Sequence, residues 1–334
     1  MTPTQPSRPT PSTPSPQPTA PTLTLCARTP DDLVAFVPVA LGFVPQHSVV
    51  VMSVGGPGMH ARVDLPHDPD DVDDVVEALL RATRRNQVTD VVVVVYDDDT
   101  TVADETAWAV HEELTAAGTT VHEVVRVHDS HWYAVLPGAP LAAYRGVPFT
   151  LADHRFTAEG VLAGRVTHAS RDDLRATLAC DPAAARATAA LLPGAPPLAP
   201  GVLAALVRHH LAAGTGFTTA ELASVAVTVT VGERRDEAWA WLTREQARSA
   251  VDLWSDAVRR LPSSHLAGPA AVLAFAAWLL GDGALAWCAV DRSREDRPHH
   301  SLAALVADLL EDAVPPSSWE RLRPGLAGSS DPAA

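Results

Sequence analysis

The hydrophobic and polar positions of this chain change period along its length. Ser48 to Val54 is rich in valine and His60 to Leu65 alternates. Between them stands the turn cluster Gly55-Gly56-Pro57-Gly58, so the segment predicts a β-hairpin. Val91 to Val95 is an unbroken run of valine. A strand with no polar alternation is buried on both faces, so this run predicts a central strand covered by helices. Two further strands are expected near Val121 to Val127 and Trp132 to Leu136, joined by His128-Asp129-Ser130-His131.

Helical spacing separates these strands. Thr29 is placed to cap a helix, Pro30 suits its first position, and Asp31 and Asp32 complement its dipole. Gly42 is the expected stop, and Pro38 predicts a kink or a short helix. A second helix is expected to open at Pro69, with Asp68 to Asp74 as its acidic first turns and Val72, Val75, Val76, Leu79 and Leu80 on one face. A third is read from about Glu105 to Ala117, closing at Gly118. From about residue 155 the pattern is helical throughout, with about seven helices of ordinary length and capping-box spacing at Ser170/Asp173 and Thr218/Glu221. Six of the eight tryptophans fall there, which predicts tight packing of indole rings against alanine.

The expected fold is thus an α/β domain with a mixed sheet over residues 23–150, followed by an all-α helical domain over 151–325. Residues 1–22 are nearly all Thr, Pro, Ser, Gln and Ala and read as a disordered tail, as do 326–334.

Composition narrows the function. The net charge is −15 and all 25 basic residues are Arg, with no Lys. That balance argues against nucleic acid and anionic membrane as partners. It also removes P-loop, Schiff-base and lysine-base chemistry. Cys26, Cys180 and Cys288 are odd in number and far apart, which suits reduced, partly buried thiols in a cytoplasmic protein. The longest uncharged apolar stretch, Leu266 to Leu280, is too short to span a bilayer and reads as a buried core helix.

Asp31-Asp32-Leu33-Val34-Ala35-Phe36-Val37-Pro38 leads into Leu41-Gly42-Phe43-Val44-Pro45 and Ser48-Val49-Val50-Val51. This opening, with Trp278-Leu279-Leu280-Gly281-Asp282-Gly283-Ala284-Leu285-Ala286, Asp291-Arg292 and His300-Ser301-Leu302 near the end, resembles a family of uncharacterised proteins from high-GC Gram-positive bacteria, a domain of unknown function. The resemblance implies co-linear architecture and no activity. Many members carry cysteines after the strand matching Trp132-Tyr133-Ala134-Val135-Leu136-Pro137, and this chain has none there, so no metal or redox role of those cysteines carries over.

Local chemistry is sparse. Gly56-Pro57-Gly58-Met59-His60-Ala61 has the letters of a dinucleotide loop, but a β-like segment follows where a helix is required, so a hairpin turn is the plainer reading. Asp97, Asp98 and Asp99 stand where the valine strand hands over to a helix, with Asp64 ending another strand. Such oxygen donors could hold Mg²⁺, or simply form a solvated capping turn. His128, Asp129 and His131 suit a polar hairpin loop, and the pairs His209-His210 and His299-His300 read as surface or boundary residues. Ala286, Val290, Ser293 and Pro298 have the spacing of half a tetratricopeptide repeat, with no second copy in register. The leading expectation is a non-catalytic module for a small molecule or an unknown protein partner. The rivals are an Mg²⁺-dependent enzyme acting on a phosphorylated small molecule through Asp97–Asp99, and a homodimeric assembly protein.

Overall fold

The computed structural model describes residues 25–55, 58–68 and 71–327. The expected tail over 1–22 and most of that over 326–334 lie outside these residues, as do Gly56, Pro57, Pro69 and Asp70. The first half runs α1 (Pro30–Leu41), β1 (Ser48–Ser53), β2 (His60–Asp64), α2 (Val72–Arg85), β3 (Asp90–Tyr96), α3 (Thr100–Ala116), β4 (Thr120–His128), β5 (His131–Ala134), α4 (Leu141–Arg145) and β6 (Val147–Pro148).

These strands form one six-stranded sheet in the order β2-β1-β3-β4-β5-β6. Only β3 and β4 pair in parallel, and α3 is their crossover. The sheet is therefore mixed, as the element order implies. The valine run fills β3 and is covered from both sides. Val91, Val93 and Val95 join Val49, Val51 and Val124 against α2 and α3, through Val75, Val76, Leu79, Ala107, Val110 and Leu114. Val94 and Tyr96 join Val50, Met52, Val125 and Val127 against Leu33, Val34 and Val37 of α1. Each fully buried valine contributes roughly 1.5 kcal/mol, so β3 anchors both layers.

The caps follow local chemistry. The Thr29 side chain accepts from the Asp32 N–H, and Gly42 closes α1 in the left-handed conformation at φ 80°. α1 continues through Pro38 to Leu41. α3 starts five residues earlier than the hydrophobic pattern predicts, because Asp99 caps it by accepting the N–H groups of Thr101 and Val102. The polar first turn hides that start from a periodicity search.

After β6 the regular elements among the described residues are helical: α5 (Arg155–Leu162), α6 (Arg171–Ala176), α7 (Pro182–Leu191), α8 (Val202–Ala213), α9 (Thr219–Thr228), α10 (Gly232–Asp236), α11 (Ala247–Arg259), α12 (Ala267–Leu280), α13 (Gly283–Asp296), α14 (Ser301–Glu311) and α15 (Trp319–Ala327), with short 3₁₀ turns between some of them. Seven of these have ten residues or more, and the shorter ones carry too little of a hydrophobic period to be read in advance. The apolar stretch at 266–280 is α12, buried along its whole length except Leu280. A helix apolar all round belongs in a core. No helix among the described residues is long and apolar enough to cross a membrane. Trp239, Phe275, Trp278 and Trp319 cluster around it, with Trp239 and Phe275 ring centres 4.6 Å apart.

The halves meet along a seam. Phe43 belongs to the core of the helical half, and Gly42 and Val44 exchange backbone hydrogen bonds with His168. The Asn86 amide donates to the Ala313 carbonyl, and Arg85 pairs with Asp312.

Candidate functional site

The acidic exit of β3 divides its carboxylates among separate tasks. Asp97 is buried, its side chain only 2% exposed. Its Oδ2 lies 2.5 Å from His47 Nδ1, and its Oδ1 accepts the Asp99 N–H at 2.8 Å. Asp98 is exposed, and Asp99 is engaged as the cap of α3. Asp64 sits on the same sheet edge, since Ser48 pairs with both Asp64 and Tyr96, but its carboxylate is held by Arg62 with Arg171 at 3.9 Å. Among the described residues no three His, Cys, Asp or Glu side chains stand together as a metal-binding group.

His47 is the residue that sequence reasoning missed here. It lies 50 positions from Asp97 and in no motif. It has a positive φ of 44°, an uncommon conformation for a non-glycine residue, and its carbonyl accepts the Leu65 N–H. Its ring stacks on His67 at 4.9 Å, and its Nε2 is shielded and has no hydrogen-bond partner. A carboxylate on Nδ1 fixes the ring's orientation. Next to it the Ser48 and Tyr96 hydroxyls are also buried without partners, and burial pushes the Tyr96 phenol far up.

The other candidates are scattered. Asp129 and Ser130 form the β4–β5 turn, where His131 Nδ1 meets the Asp129 carbonyl at 2.8 Å and His128 Nε2 lies 3.3 Å from the Asp129 carboxylate. His210 is buried beside Thr215 and Glu221, and His300 is buried while His299 is exposed. Of the glycine-rich motif, Ala61 lies in β2, so a strand follows it.

At the opposite end of β3 the sheet opens into a cavity of about 420 Å³. Leu33 and Phe36 of α1 roof it, and Met52 and Val92 form its floor. Cys26 and Arg28, just before α1, make one wall, and Glu123 of β4 the other. A bulge aims that carboxylate. Val91 pairs with Val121, but Val92 pairs with Glu123, so His122 is an extra residue in β4. One inserted residue turns the rest of a strand over. Glu123 is thereby brought to the α1 face beside Val92, and burial pushes its carboxyl up.

A family model, described as a domain of unknown function (DUF4192), matches residues 30–317. The chain belongs to this family. The DUF4192 match begins at the first residue of α1 and ends just before α15, so it spans both halves. It includes the His47–Asp97 pair and the Glu123 wall of the cavity, while Cys26 and Arg28 precede it. Comparison with curated proteins and with solved structures found no match.

Proposed function

We propose that the first half of this DUF4192 chain, residues 23–150, is a binding module for a small molecule, seated in the cavity beneath the amino end of α1. The observation that carries this reading is the cavity's make-up: about 420 Å³, with an apolar floor and roof and a few polar groups on its walls. That size and lining suit a small ligand, for which burial of an apolar body supplies affinity and a few polar groups supply orientation. Residues 151–325 act as a helical scaffold, a reading that the hydrophobic core around α12 supports.

Cys26 provides the test. It is an exposed thiol on the cavity wall, Cys180 is exposed elsewhere, and Cys288 is buried. In a Cys180→Ser protein, compounds from a small-molecule panel that raise Tm should also slow maleimide labelling of Cys26, because binding to the folded state stabilises it by mass action. Stabilising compounds that leave the labelling rate unchanged would place binding elsewhere, and a panel without any protecting compound would remove the reading.

A further inference from the structure

We infer that the ligand of this cavity is a zwitterion of the amino-acid type with an apolar side chain. The inference rests on the binding reading above and names its ligand class.

Two groups of opposite charge line one cavity. Arg28 stands at its rim and the half-buried Glu123 on its wall. Among the described residues neither side chain forms an ion pair, with the other or with a third residue. This is unusual placement for Glu123. A carboxylate taken partly out of water without a cation is costly, and such groups are ordinarily paired. The neighbouring His122 does not serve, because its Nε2 is committed to Asp90 at 2.9 Å.

Each simpler ligand leaves one charge worse off. An apolar ligand would strip more water from Glu123 and give nothing back. An anion would meet Arg28 but be repelled by Glu123. A cation would meet Glu123 and be repelled by Arg28. A polyphosphate has a single guanidinium to meet and is repelled by Glu123, and the first turn of α1 is already capped by Thr29. A molecule carrying an ammonium for Glu123 and a carboxylate for Arg28 satisfies both. Leu33, Phe36, Met52 and Val92 then offer an apolar surface to its side chain.

The test uses L-leucine and L-phenylalanine as probes, with leucinamide lacking the carboxylate and N-acetylleucine lacking the ammonium. Protection of Cys26 from maleimide is read in the Cys180→Ser protein. The free amino acids should protect at concentrations about tenfold below either blocked form, the factor expected for losing one charge-assisted contact. Glu123→Gln should abolish the preference for leucine over N-acetylleucine. Arg28→Gln should abolish the preference over leucinamide. Glutamine is isosteric with Glu123 and merely shortens the exposed Arg28, so unchanged far-UV circular dichroism verifies the fold of both variants. Equal protection by free and blocked forms, or a preference untouched by both substitutions, overturns the zwitterion. If panel compounds protect Cys26 and the amino acids do not, the zwitterion fails while the binding reading stands. If nothing protects Cys26, both fail together.

Discussion

His47 Nδ1 and Asp97 Oδ2 lie 2.5 Å apart, and Asp97 also accepts the Asp99 N–H, so one buried carboxylate ties the start of β1 to the end of β3 and the entry of α3. Asp97→Ala leaves the His47 ring N–H and the Asp99 N–H without their acceptor, an expected loss of about 2 kcal/mol. Asp98→Ala removes an exposed side chain with no such partner and should stay within about 0.5 kcal/mol of the parent. Urea denaturation compares the two, and equal losses would contradict this division of roles.

The same geometry bears on magnesium. Asp97 is bound to His47 and Asp64 to Arg62, so titration with Mg²⁺ should leave Tm unchanged in the parent chain. A rise in Tm that Asp98→Asn abolishes would instead support a shared ion at Asp97, Asp98, Asp99 and Asp64.

What the sequence discloses is what short-range chemistry decides. Val91 to Val95 announces a strand covered on both faces because no position in it is polar. Thr29, Gly42, Ser170 and the Thr218/Glu221 box are legible as caps because their bonds span only a few residues, and each caps its helix in the structure. The place of Asp97 at the strand exit was legible for the same reason. Its partner His47 was not, because pairing across 50 residues leaves no local spacing. The bulge at His122 has no signature either, since its cause is the register against β3, and with it the facing of Glu123 was hidden. Indole exposure was equally a matter of tertiary packing. Trp108 is exposed at 39%, whereas the six tryptophans of the helical half are buried or partly buried.

Gly268 inverts an ordinary helix rule. Glycine to alanine within a helix normally gains up to about 1 kcal/mol. A Cβ at Gly268 would stand 2.8 Å from Val229 Cγ2 and 2.9 Å from the Val229 carbonyl oxygen. The backbone oxygen cannot swing aside, so α12 would have to shift away from the end of α9. Gly268→Ala should therefore cost about 1–3 kcal/mol. Gly283→Ala, whose Cβ meets only Leu310 Cδ2 at 3.6 Å, is the neutral counterpart. Both are read from thermal unfolding, and a Gly268→Ala protein as stable as its parent would show that α12 can move off Val229 without penalty.

The β4–β5 turn places a serine where glycine is preferred. Asp129 and Ser130 both have positive φ, at 45° and 58°, as a type I′ turn requires. Replacing the pair by Asn-Gly fits that backbone better and should stabilise by about 0.5–1 kcal/mol. The substitution gives up the pairing of His128 with the exposed Asp129 carboxylate at 3.3 Å, which is of the weak surface kind. A lower denaturation midpoint for the double substitution would mean that this pairing outweighs the backbone preference.

His300 couples the stability of the helical half to pH. Burial first, then the guanidinium groups of Arg235 and Arg297, push its imidazole down to about 4 from the ordinary 6.5, against the weaker opposing pull of Asp236 and Asp296. Its Nδ1 is buried without a partner, while Arg235 donates to the adjacent Ser301 hydroxyl. Above pH 6.5 neither the folded nor the unfolded chain protonates this residue, and its contribution to stability is fully present. As pH falls from 6.5 towards 4, the unfolded chain takes up a proton that the folded chain refuses, so stability declines. Below about pH 4 both forms are protonated and the loss is complete, at most roughly 3 kcal/mol from this one group. His300→Gln removes the titration but keeps a polar side chain at the start of α14. Between pH 7.5, 6.0 and 4.5 the urea midpoint of the parent should fall more steeply than that of the variant, since only the parent carries the linkage. Parallel decline of the two would place the acid sensitivity in other groups.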